Sequence, residues 1–119
     1  MTLHTKRIGL AFALILGTVE HMVAQSANAT LSGFVRDSQG AVIPNAKVSV
    51  EQIATHQIYN TTSSGAGEYI ILNLPVGDYK LTAEAPDFKL AVVPSITLQT
   101  AEVASLNVTL SVGDRKSVV

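Results

Sequence analysis

The sequence predicts an all-β fold: an antiparallel β-sandwich of about seven short strands, set behind a cleaved export segment. Three observations carry this reading. Apolar and polar residues alternate with a period of two in several segments, and none holds a helical period. Between those segments, clusters of Gly, Pro, Asn, Asp and Ser recur every 8–12 residues or so. The first 29 residues differ from the rest, starting positive and then turning continuously apolar.

That first unit reads MTLHTKRIGLAFALILGTVEHMVAQSANA. Lys6 and Arg7 supply the charge, Ile8 to Gly17 the apolar run, and Ala27-Asn28-Ala29 a site with small residues at both recognition positions. This is the three-part plan of a secretory signal peptide. The run is well short of the ~20 residues a membrane-spanning helix needs, so no transmembrane segment is expected in the mature chain. The expected organisation is a signal peptide over 1–29 cleaved after Ala29, a domain over 30–113, and a short tail over 114–119 that is either a natural end or a truncation.

The strands follow in order. TLSGFVR (30–36) opens the domain. In NAKVSVE (45–51), Ala46, Val48 and Val50 alternate with Lys47, Ser49 and Glu51. THQIYNTT (55–62) is the third strand, and His56 is read as a surface residue within it. EYIILNL (68–74) is the densest apolar run and is expected to be a more central strand. In DYKLTAEA (78–85), Tyr79, Leu81, Ala83 and Ala85 share one face. SITLQT (95–100) is the sixth strand. In VASLNVTLSV (103–112), Leu106, Val108, Leu110 and Val112 form the buried stripe. Such alternation describes a strand with one face covered and one in water, so a second sheet must cover the first.

The connections carry turn chemistry: DSQG (37–40), SSGAG (63–67), NLPVGD (73–78), EAPDF (84–88) and VPS (93–95). In DSQGAVIPNAKVSV (37–50), Asp37 is expected to bond the backbone two residues on, and Gly40 to hold a positive φ. Pro44 lacks an N–H and ends pairing or sits at an edge, with Asn45 as a bend residue. The segment is read as a crossing from one sheet to the other. Gly77 is expected to hold a positive φ in its turn.

Composition excludes several classes. With no Cys there is neither a disulfide framework nor a cysteine metal site. A net charge of −1 lacks the basic face that nucleic acid requires. After cleavage His56 is the only His, too little for a metal site or a catalytic triad. The Ser63–Gly67 loop lacks the Lys and the following helix of a phosphate cradle. Asp78, Glu84 and Asp87 fall on wet positions, unlike a hydrolytic carboxylate pair. No catalytic, metal or cofactor residues are assigned. Export without cysteines suits a bacterial envelope.

Gly33, Val35, Asp37, Gly40, Pro44, Ala46 and Val48, then Gly67 and Tyr69, then Leu74, Pro75, Gly77, Tyr79 and Leu81 stand in one order. In these residues the chain resembles the carboxypeptidase regulatory-like domain, a transthyretin-like sandwich also grouped with carbohydrate-binding-like folds. Asp87 stands where that pattern usually has Gly. An export segment followed by such a domain, ending in VTLSVG, is similar to the start of an Oar-like TonB-dependent outer-membrane receptor. The resemblance implies a non-enzymatic structural or interaction module, exported to the periplasm or outer membrane of a Gram-negative bacterium. Its partner would be another envelope protein held through an edge strand. The alternative is a carbohydrate-binding module with Tyr59, Ser63, Ser64 and Glu68 as ligand contacts, while Tyr69 and Tyr79 match core positions of the family. Lys47, Glu84 and Asn107, the types that close isopeptide bonds in related adhesins, all fall on polar registers, whereas such a bond needs a buried site.

Overall fold

A computed structural model describes residues 27–113. They form eight strands: β1 (Ala29–Asp37), β2 (Lys47–Gln52), β3 (Ile58–Thr62), β4 (Glu68–Leu74), β5 (Gly77–Glu84), β6 (Ala91–Leu98), β7 (Val103–Ser105) and β8 (Val108–Leu110). One sheet has β1 at its centre, with β4 on one side and β7 then β8 on the other. The second sheet runs β3-β2-β5-β6. No helix is present among the described residues, and none is long and apolar enough to cross a membrane.

The alternation places the core where expected. Leu31 and Val35 of β1, Tyr69, Ile71 and Leu74 of β4, and Val108 and Leu110 of β8 are buried. They pack in one cluster with Val48 and Val50 of β2, Tyr79, Leu81 and Ala83 of β5, and Leu98 of β6. Each fully buried Leu or Val contributes roughly 1.5–3 kcal/mol, so stacking the two sheets is the main source of stability.

The crossing segment behaves as its residues dictate. Asp37 Oδ1 accepts the N–H groups of Gln39 and Ala41, both at 2.9 Å, and Gly40 has φ +89°. Val42 bridges back to Arg36, and Ile43 donates to the Val35 carbonyl. After Pro44 and Asn45 (φ +59°) the chain enters β2 in the other sheet. Ser63 fastens this crossing. Its hydroxyl donates to the Ile43 carbonyl at 2.7 Å and accepts the Ala46 N–H at 2.8 Å. Gly77 has φ +145°, and a Cβ there would stand 2.7 Å from Gln52 Nε2.

Several expectations are corrected. The first sheet is mixed, because β7 and β8 run parallel to β1. The last predicted strand is two strands, broken at Leu106-Asn107. There the Leu106 carbonyl turns toward β1 and occupies the space over Gly33, only 1.9 Å from where a Cβ would stand. It accepts the Tyr69 hydroxyl at 2.7 Å, and Asn107 Oδ1 accepts the Phe34 N–H at 2.9 Å. Val112 lies past this break and is 70% exposed instead of extending the buried stripe.

The dense run 68–74 is an edge strand, not a central one. It pairs only with β1, and its apolar density comes from Ile70 and Leu72, which face outward. Val93-Pro94-Ser95 is not a turn but the middle of β6, which begins at Ala91. Proline is tolerated there because β6 is an edge. Residues 55–57 belong to the β2–β3 turn, where His56 has φ +65° and donates its N–H to the Gln52 carbonyl at 2.7 Å.

Candidate functional site

The four residues singled out as ligand contacts do not share a surface. Tyr59 pairs with Val50 across β3 and β2, on the core side. Its ring stands edge-on to Tyr79, with centroids 6.3 Å apart. Ser63 is buried, with its hydroxyl engaged both as donor and as acceptor in the crossing. Ser64 is exposed, and its Oγ accepts the N–H groups of Ala66 and Glu68 within the loop, each at 3.2 Å. Glu68 is exposed at the start of β4.

What the fold does gather is the outer face of the second sheet. The register aligns Thr62, Lys47 and Glu84 in one row, Asn60, Ser49 and Thr82 in the next, and Ile58, Glu51 and Lys80 in a third. All of these but Thr62 and Glu84 line a shallow depression of about 430 Å³. Ser49 Oγ donates to Asn60 Oδ1 across the strand pair. At one end Glu51 meets His56 Nδ1 at 2.9 Å and Lys80 Nζ at 3.9 Å. The hydrogen bond from His56, helped by the charge of Lys80, holds the Glu51 carboxyl below the usual carboxylate range. Alternation in the sequence marked Lys47, Ser49, Glu51, Lys80, Thr82 and Glu84 as wet, but only the pairing of β3, β2 and β5 shows that they share one face with Ile58, Asn60 and Thr62.

The first sheet offers a different feature. β4 runs seven residues with no strand on its far side, and Ile70 and Leu72 are 47% and 62% exposed. Val103 of β7, also outward, is 78% exposed. The other edges of the sandwich are shorter or interrupted: β3 has five residues, β6 carries Pro94, and β7 and β8 have three each. Such features blunt an edge against further pairing. β4 has no proline, but a bulge interrupts it where Leu72 and Asn73 together oppose Thr30 and Asn73 has φ +59°, and Ser64 of the preceding loop already bonds both the N–H and the carbonyl of Glu68.

The remaining titratable groups are structural. Burial pushes the Tyr69 and Tyr79 hydroxyls up to about 12, and each donates to a carbonyl, Leu106 at 2.7 Å and Pro75 at 2.6 Å. Asp78 and Glu84 stand at opposite ends of β5, and Asp78 accepts the Thr97 hydroxyl at 2.6 Å. Lys47 lies in β2 of the second sheet and points into solvent, while Asn107 lies in the break between β7 and β8 beside the first sheet. Among the described residues no group of three or more His, Cys, Asp or Glu is placed to hold a metal ion.

A buried tyrosine on each of β4 and β5, the glycine-bearing turn before β5 and the crossing after β1 are thus parts of one scaffold. The sequence profile of the carboxypeptidase regulatory-like domain matches residues 30–111. This chain belongs to that family. The regulatory-like domain is similar in fold to several solved structures. A proposed carbohydrate-binding protein of Bacteroides uniformis shares 15% identity at a TM-score of 0.58, over 70% of this chain and 41% of that one. Catechol 1,2 dioxygenase of Acinetobacter radioresistens shares 12% at 0.62, over 76% and 53%. A chain of a type II cohesin–X-dockerin complex of Acetivibrio cellulolyticus shares 20% at 0.55, over 73% and 60%. This chain therefore spans less than two thirds of each of them, and at these identities the likeness is one of fold.

Proposed function

We propose that the regulatory-like domain is a non-enzymatic exported module that serves as a structural or interaction domain, similar to the N-terminal periplasmic domain of a TonB-dependent receptor. Its contact is the free edge of β4, which accepts an extended segment of another envelope protein. The observation that supports this most is an edge with outward Ile70 and Leu72 and no proline, regular from Glu68 to Ile71 before the bulge at Leu72-Asn73. Strand addition draws affinity from main-chain groups and takes specificity from alternate side chains. A photo-reactive residue in place of Leu72, in the full chain expressed in a Gram-negative host, should give one discrete periplasmic adduct. The same residue in place of Thr82 should give none. Adducts at Thr82 and none at Leu72 would contradict the reading.

A second reading is a carbohydrate-binding module. It is favoured by the row of Asn60, Ser49 and Thr82 beside Lys47 and Lys80, whose hydroxyl, amide and ammonium groups suit a hydroxylated ligand. Glycan-array binding lost in Asn60→Ala, with the Leu72 adduct absent, would replace the first reading by this one.

A further inference from the structure

After the apolar run, two triplets carry small residues at both recognition positions of a signal peptidase site: Ala24-Gln25-Ser26 and Ala27-Asn28-Ala29. The described fold distinguishes them. Ala29 is the first residue of β1, pairs with Leu74 and is 0% exposed. The Ala27 carbonyl accepts the Ala101 N–H at 2.9 Å, in a turn where Ala101 has φ +57°. Asn28 Nδ2 reaches the Asn73 carbonyl at 3.5 Å. Residues 27–29 are thus tied to three places in the folded domain.

We propose that the leader is removed by hydrolysis of the Ser26–Ala27 peptide bond, so that the mature chain begins at Ala27. The inference rests on the export reading above. Water adds across the bond: its oxygen goes to the Ser26 carbonyl carbon, giving a carboxylate, and the Ala27 nitrogen leaves as the new α-ammonium. Ala27 and Asn28 are exposed, so that charge stays hydrated. Cleavage after Ala29 would strip a buried side chain from the core, uncover Leu74 and remove the acceptor of Ala101. Every exported copy would then fold without the start of its central strand.

The test is the N-terminal sequence and intact mass of the species exported from the full chain in a Gram-negative host. Ala27 as the first residue is expected, and Thr30 would overturn the inference while leaving export intact. An uncleaved chain would overturn both. Two variants separate the sites further, because a bulky residue is rejected at the recognition positions. Ser26→Tyr should accumulate precursor and Ala27→Tyr should be processed normally. The reverse pattern would place the cut after Ala29.

Discussion

The two sheets obey one rule on their inner faces and differ on their outer ones. Inside, both present unbroken apolar stripes, with Leu31 and Val35 facing Val48, Val50 and Leu81 in one core. Outside, the β3-β2-β5-β6 sheet presents Lys, Ser, Thr, Asn and Glu in register over β2 and β5, with exposed Ile58 and Val92 towards its two edges, and its β6 edge carries Pro94. The first sheet turns Ile70, Leu72 and Val103 to water and ends in β4, which has no strand beyond it and a bulge at Leu72-Asn73. A period of two dictates which residues go inward. It does not dictate what the outward residues are for, and the strand addition proposed above takes the β4 side.

Substitutions can break this comparison, and the largest effect belongs to the first sheet. Gly33→Ala places a methyl group 1.9 Å from the Leu106 carbonyl, a backbone atom that cannot swing away. Urea denaturation should show a loss of roughly 3 kcal/mol or more, at the top of the overpacking range. Gly40→Ala, with open space around it and only its positive φ to strain, should cost about 1–2 kcal/mol. Equal losses would mean that the β7–β8 break is not packed against β1 as described.

Ser63→Ala tests the crossing between the sheets. It leaves the Ile43 carbonyl and the Ala46 N–H without their partner, at a cost of about 1–3 kcal/mol by the same measurement. Next come the pH limits, where a buried group and an exposed one should part. The Tyr69 hydroxyl is held neutral to about 12, above the ordinary tyrosine value of about 10. The folded state therefore binds the proton more tightly than the unfolded chain. Its contribution is full below the unfolded value and is lost as pH rises through 10 toward 12. Tyr69→Phe should cost about 0.5–1.5 kcal/mol at neutral pH and should flatten the alkaline fall in stability. Glu51 has the opposite sign, since its lowered value adds stability at neutral pH that is lost as pH falls through its folded value. Glu51→Gln should therefore soften only the acid side, by a small amount, in melting curves taken across pH. The smallest effect is expected at the β4 edge, where Leu72→Lys should change stability by less than about 0.5 kcal/mol. It should nevertheless abolish the adduct expected when the photo-reactive residue is placed at Ile70 instead.

Much of this fold is written locally. Asp37 and Gly40 announce their turn, Tyr79-Leu81-Ala83 announce a half-buried strand, and the ordered glycines, prolines and tyrosines announce the family. What depends on pairing is not written locally. EYIILNL reads as a central strand because neighbours are not visible in sequence, and an apolar outward residue looks the same as a buried one. VASLNVTLSV reads as continuous because its break is set by Gly33 and Tyr69, far away in the chain. Tyr59 looked like a surface aromatic until its pairing with Val50 turned it toward the core. The polar rows from Lys47 to Lys80 were legible residue by residue but not as one face.

Residue-resolved amide exchange on the exported protein tests most directly whether β4 is open. Amides of β1, β2 and β5 should exchange slowly throughout, while in the regular part of β4, from Tyr69 to Ile71, they should alternate, slow where they point to β1 and fast where they point outward. Uniform slow exchange along β4 would mean that its far side is already paired, and the asymmetry between the sheets would not exist.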